Sequence, residues 1–213
     1  DSSTSRGLGD VYKRQAFEAL GFTCRTLTHP KALAPFLYAE RIEDPALPTV
    51  LGYGHGDVIR GLEKEWQEGL SPWALTEAEG RWYGRGIADN KGQHTINMEA
   101  LRLVLETRGK LGFNAKYLIE MGEETGSMGL RELCAEHRDM LAADLLIASD
   151  GPRLAAKRPT IFLGARGSLN FDLSIEARAG GHHSGNWGGL ISNPGIQLAH
   201  ATVSYTHLRA HET

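Results

Sequence analysis

The chain has 213 residues, 41% of them hydrophobic and 23% charged, with a formal net charge of −3. This composition supplies apolar material for one full globular core and part of a second. No run of Lys or Arg stands out and no apolar stretch approaches the roughly 20 residues that span a bilayer, which argues against a nucleic-acid partner, an anionic membrane surface and a transmembrane helix.

Cys24 and Cys134 are distant in sequence and form neither a disulfide framework nor a CxxC pair, so a reducing, cytoplasmic setting is the default. Residues 1–15 (DSSTSRGLGDVYKRQ) are polar and follow neither the helical nor the strand period. Residues 203–213 (VSYTHLRAHET) interrupt a helix that begins in NPGIQLAHA. Both strings resemble translated sequencing-adapter read-through. The natural sequence is therefore expected to run from near Ala16 to near Thr202, with 1–15 and 203–213 as non-native tails.

Between these ends the elements alternate. Thr49–Tyr53 (TVLGY) reads as a buried strand running into Gly-His-Gly-Asp. Val58, Leu62 and Trp66 lie at helical spacing and predict a short helix over 58–68. Gly69–Gly80 reads as a loop holding Pro72, and GRWYGRG as a hairpin arm. His94–Thr107 predicts an amphipathic helix with Ile96, Ala100, Leu103 and Val104 on its apolar stripe and Arg102 and Glu106 opposite. Lys116–Glu120 is a predicted strand, Ser127–His137 a second helix carrying Leu130, Leu133, Cys134 and His137, and Asp144–Ala148 (DLLIA) another strand. Strands alternating with helices give the fold class: a three-layer α/β domain with a mostly parallel sheet, over 16–164. From Ser168 to Ala177 apolar and polar residues alternate strictly, the pattern of an antiparallel strand wet on one face. A smaller α+β domain is thus expected over 165–202, passing through GGHHSGNWGG to a helix that starts at Asn193-Pro194.

Acids and histidines sit where the apolar runs end. His55 and Asp57 project to one face if the segment is extended, so Asp57 is placed to hold the second nitrogen of a ligating His55; the alternative is a loop His with a turn-forming Asp. Asp89, between a Gly-rich arm and a helix, is either a helix cap or a carboxylate bridging two metals about 3.5–4 Å apart. Gly84, Gly86 and Gly92 would let backbone approach it closely. Neither GxGxxG nor GxxxxGK[ST] occurs, which argues against a phosphate loop. Glu123 and Glu124 are adjacent and repel unless a cation or proton intervenes, so one suits a metal and the other a proton. Asp150 follows DLLIAS, at the carboxyl end where open α/β sheets place their sites. His182 and His183 lie in the Gly-rich loop, whereas His94 and His137 read as packed or surface histidines on helices.

The order GHGDV, GRGIADNKG, EMGEETGS, ASDGP and HSGNWGG closely resembles the M20 family of metallopeptidases over residues 48–200, most of all its carnosinase-type dipeptidase and tripeptidase branch, with aminoacylases and deacetylases as near competitors. The resemblance implies two zinc ions (manganese or cobalt as alternatives) and hydrolysis of dipeptides or short peptides by a metal-activated water, or of N-acyl amino acids. A non-catalytic dimerisation or metal-binding module is the rival reading. In the family pattern His55 and Asp150 complete one zinc site, Asp89 bridges, Glu124 binds the second zinc, Glu123 is the general base and Asp57 orients His55. His183, from the lid domain of a homodimer partner, polarises the scissile carbonyl. The Asp usual two residues before that His is Gly181 here. The resemblance also implies a cis peptide at Asp89–Asn90. It places the last histidine of the second zinc after the lid, beyond residue 202, so this length of chain is expected to be inactive and to leave a sheet edge unpaired.

Overall fold

The computed structural model describes residues 12–155, 157–164, 167 and 171–209. They divide into two compact units between Ile161 and Phe162.

The first unit is a five-stranded sheet in the order β1-β2-β6-β3-β7, preceded by helix α1 over 12–19. Its strands are β1 (Thr23–Leu27), β2 (Phe36–Arg41), β3 (Thr49–His55), β6 (Asn114–Glu120) and β7 (Leu145–Ala148). The pairs β3/β6 and β3/β7 are parallel, with His55 opposite Glu120 and Tyr53 opposite Ala148. The pairs β1/β2 and β2/β6 are antiparallel, so the parallel half of this mixed sheet is β6-β3-β7. A small hairpin, β4 (Thr76–Ala78) with β5 (Arg81–Tyr83), stands apart from it.

Period-two alternation sorts the core into two layers. On one face Leu37, Ala39, Ala115, Tyr117 and Ile119 pack with Phe17 of α1 and with Met98 and Leu101 of α2 (Lys91–Arg108). On the other, Phe36, Tyr38 and Leu118 pack with Leu133 of α3 (Leu130–Glu136) and Leu141 of α4 (Arg138–Leu141). The first unit thus has the expected helix-sheet-helix layering. The chain leaves β3 through α2 to reach β6 on one side, then returns through α3 and α4 to β7 on the other. The carboxyl end of β3 is therefore a topological switch point, where open α/β sheets leave a crevice.

Several expectations are corrected. Over 58–68 there is a single 3-10 turn, Glu63–Glu65, in place of a helix. Leu62 has φ 55°, and the Gly61 carbonyl that would accept a helical bond is taken by the Trp66 indole (2.9 Å) and the Arg85 guanidinium (2.9 Å). The loop expected over Gly69–Gly80 ends in strand β4. Helix α2 forms, but with a different face inward: His94, Met98 and Leu101 are buried, while Ile96 is 65% and Leu103 52% exposed.

In the second unit α5 (Ser184–Trp187) and α6 (Pro194–Arg209) are helical. Of the strand expected over Ser168–Ala177, residues 168–170 lie outside the described residues, and 171–177 take no ladder partner among those described. Alternation makes a sheet only when a second strand accepts its hydrogen bonds, and none is offered among the described residues. Helix α6 runs through Thr202 to Arg209, correcting the expected interruption. Residues 203–209 contain no Gly or Pro, and adding residues to an existing helix is easy once it is nucleated. Among the described residues no helix is long and apolar enough to cross a membrane.

Leu133 is fully buried between α3 and the sheet. Leu133→Ala should cost about 2–5 kcal/mol of stability. Urea unfolding should show this as a lower midpoint with an unchanged slope.

Candidate metal centre

His55 is the last residue of β3 and its side chain is 0% exposed. Both ring nitrogens face acids. Nδ1 lies 3.3 Å from Asp57 Oδ1 and 3.2 Å from the Asp57 carbonyl. Nε2 lies 3.0 Å from Asp89 Oδ1, 3.7 Å from Glu123 Oε2 and 3.8 Å from Asp150 Oδ2. The imidazole forms a buried floor, and the carboxylates rise from it toward solvent, Asp89 being 64% exposed.

Each acid is delivered by a strand end or a helix start. Asp150 stands two residues past β7 and Asp89 two before α2, where the Asp89–Asn90 peptide is cis as expected. Glu123 and Glu124 open a 3-10 turn after β6. Asp57, nearly buried, organises that turn: Oδ1 accepts the Glu123 backbone N–H (3.2 Å) and Oδ2 that of Glu124 (3.1 Å). One carboxylate thus ties the imidazole to the loop bearing both glutamates.

The charges respond accordingly. Burial alone would lower the His55 pKa, but the bonds and charges of Asp57, Asp150 and Asp89 outweigh it and raise it from 6.5 to about 9. Burial raises Glu123, and the neighbouring Asp150, Glu124 and Asp89 add to this against His55. Glu124 is raised for the same reasons, with Asp89 its strongest like-charged neighbour. Asp57 goes the other way: burial opposes its charge, but the His55 bond and the Glu124 N–H hold it below the usual carboxylate range.

One nitrogen of His55 and one oxygen each of Asp89 and Asp150 lie within 4.8 Å of one another. Three mixed N/O donors with an open side suit a catalytic transition-metal site, and the Asp57 contact to Nδ1 is the outer partner that such a histidine needs. Like-charged acids gathered at this spacing also repel one another unless a cation intervenes. The residues therefore fit a divalent ion. Glu124 stands outside that trio, although it is close enough for Asp89 to shift it. His182 and His183 belong to the second unit. There His183 Nδ1 accepts the Gly185 N–H (3.1 Å) and His182 meets the Trp187 ring edge-on at 5.7 Å.

A model of peptidase family M20/M25/M40 matches residues 51–210. The chain belongs to that family. Beta-Ala-His dipeptidase of Mus musculus is 35% identical over 168 residues, covering 78% of this chain and 34% of that protein. Cysteinylglycine-S-conjugate dipeptidase of Corynebacterium striatum is 37% identical over 158 residues, covering 73% and 33%. The crystal structure of human carnosine dipeptidase 1 aligns with a TM-score of 0.64 at 26% identity, over 88% of this chain and 41% of that one. The chain spans about a third of the length of the curated relatives it matches.

Placed in this M20 chain, some residues at the site were not anticipated from sequence. Asn90 is fully buried and its carboxamide reaches His55, His94, Ser149 and Asp150. Gln93 bonds both the N–H and the carbonyl of Gly151 (3.3 and 3.4 Å), and Asn97 Nδ2 donates to Ser149 Oγ (2.8 Å). The signal was present: Asn90, Gln93, His94 and Asn97 are polar at i, i+3, i+4 and i+7, one face of a helix. His94 was expected to be a packed or surface residue; it is buried, but hydrogen-bonded through Nδ1. Its Nε2 has no partner among the described residues, and burial drives its pKa down to about 3, so it stays neutral.

The raised His55 pKa fixes a sign. A histidine whose folded pKa lies above its unfolded one stabilises the fold fully below the unfolded value, and this contribution disappears as pH rises through the folded value. In metal-free protein that window runs from 6.5 to about 9. An NMR titration should place the His55 ring midpoint near 9, and Asp57→Asn should lower it. A midpoint at or below 6.5 would show that the carboxylates do not hold the proton.

Proposed function

We propose that this chain carries the amino-terminal part of a di-zinc metallopeptidase acting on dipeptides or short peptides. The observation that supports this most directly is the buried His55 Nε2 facing the carboxylates of Asp89, Glu123 and Asp150 at 3.0, 3.7 and 3.8 Å, at the switch point of a parallel sheet. The dipeptidase names of the relatives favour a peptide over an N-acyl amino acid as substrate.

In this reading His55, Asp89 and Asp150 would hold one zinc, and Asp89 with Glu124 the second; manganese or cobalt would suit the same donors. Bound there, the ions would supply Lewis-acid polarisation of a carbonyl and a lowered pKa for water. The chain's own residues do the rest. Glu123, already biased toward holding a proton, accepts one from the attacking water and returns it to the leaving amine. Asp57 keeps His55 oriented and sets the Glu123–Glu124 turn. His183, contributed by the lid unit of a second copy, polarises the scissile carbonyl, a role in which one donor is worth about 2.7–4 kcal/mol.

Two measurements test the reading. Calorimetric titration of this chain should register about one tight zinc, the stoichiometry its trio can satisfy, and Asp89→Asn should weaken it strongly. No uptake would sink the metal assignment. In a full-length protein, Glu123→Gln should retain zinc while kcat falls by about 10²–10⁴-fold. A variant that remains fully active would remove Glu123 from the role of base.

A further inference from the structure

We infer that Asn90 and His94 are a positioning pair that holds the His55, Asp89 and Asp150 donors in mutual register, with His94 serving as a hydrogen-bond donor to the Asn90 carboxamide. The inference rests on the metal-site reading above.

The bonding pattern fixes the orientation of the amide. Asn90 Nδ2 faces three acceptors, the Ser149 carbonyl, Asp150 Oδ1 (3.2 Å) and Gln93 Oε1 (3.3 Å). Asn90 Oδ1 therefore points to the His55 backbone N–H (3.1 Å) and to His94 Nδ1 (3.0 Å). An amide oxygen only accepts, so Nδ1 of His94 carries the proton. Through one carboxamide, β3, the turn before α2 and the end of β7 are joined, and each brings one donor: His55, Asp89 and Asp150.

Three further observations set this pair apart from ordinary packing. Among the described residues His94 leaves its Nε2 buried without a partner, so an apolar side chain would fill the same space with no orphaned nitrogen; what the imidazole adds is the Nδ1 donor. Asn90 occupies the N-cap position of α2, yet its side chain does not cap the helix and is committed to the site. Gly54 completes the seat. A Cβ there would stand 2.6 Å from His94 Nδ1 and 2.8 Å from Asn90 Oδ1, so β3 is stripped of a side chain where the pair lies against it.

The test compares three substitutions in the 213-residue chain. Asparagine places its amide nitrogen where imidazole has Nδ1; glutamine places it nearer Nε2; leucine has no donor. Zinc affinity is read by calorimetry, and exchange of the His55 backbone amide is read in metal-free protein against its β3 neighbours Leu51 and Tyr53. His94→Leu and His94→Gln should each weaken zinc by about 10- to 100-fold, as loss of an outer hydrogen-bond partner does, and should selectively speed His55 amide exchange. His94→Asn should rescue both readouts. Wild-type behaviour of His94→Leu, or a His94→Asn as impaired as His94→Leu, overturns the inference. If the wild-type chain takes up no zinc, the metal reading fails, and the His55 exchange pattern alone decides for or against the pair.

Discussion

Everything at this site depends on an imidazole shut away from water with acids on both of its nitrogens. A buried histidine without acidic partners stays neutral, as His94 does; His55 takes up a second proton because Asp57, Asp150 and Asp89 outweigh the cost of burial. That arrangement requires β3 to end at His55 with the site loops folded over it. The GYGHG segment makes room. Gly52, Gly54 and Gly56 recur with period two, and a Cβ on each would strike Tyr117, the Asn90–His94 pair or Met121, respectively. The glycines flanking the histidine are thus as much a part of the site as the acids.

The two adjacent glutamates show how one residue divides labour between neighbours. Asp57 accepts from both of their backbone N–H groups, so the turn is fixed from beneath. Glu123 comes within 3.7 Å of His55 Nε2, and Glu124 instead feels Asp89 most strongly among the neighbouring charges. Deeper in the sheet Glu120, also buried, accepts from the Ser127 and Tyr53 hydroxyls and passes its carbonyl to the Gly56 N–H (2.8 Å). Glu120 thereby links the far end of the loop, at Ser127, to β3.

What could be read from the sequence followed the strength of the local signal. The runs TVLGY and DLLIA and the residues just beyond them gave β3, β7, His55 and Asp150, because apolar strands that end in acids are readable without tertiary information. Strands β1 and β2 were not assigned. Phe36 to Ala39 is buried on both faces, so it shows no alternation to read. The 58–68 segment failed because two side chains captured the Gly61 carbonyl, a long-range event that helical spacing does not encode. The inward face of α2 was misjudged because its first two turns bury polar groups. An apolar stripe was sought where amides and an imidazole face the sheet.

The placement of Asp150 has a consequence for how firmly the site is built. It hangs from β7, the outermost strand, whose Leu145, Leu146 and Ile147 stand well exposed and whose outer edge pairs with nothing among the described residues. Among the described residues Asp150 is thus the member of the His55, Asp89 and Asp150 trio that stands on a sheet edge, where local opening is easiest. The amide tether from Asn90 to Ser149 and Asp150 reaches that edge from the buried side of the site.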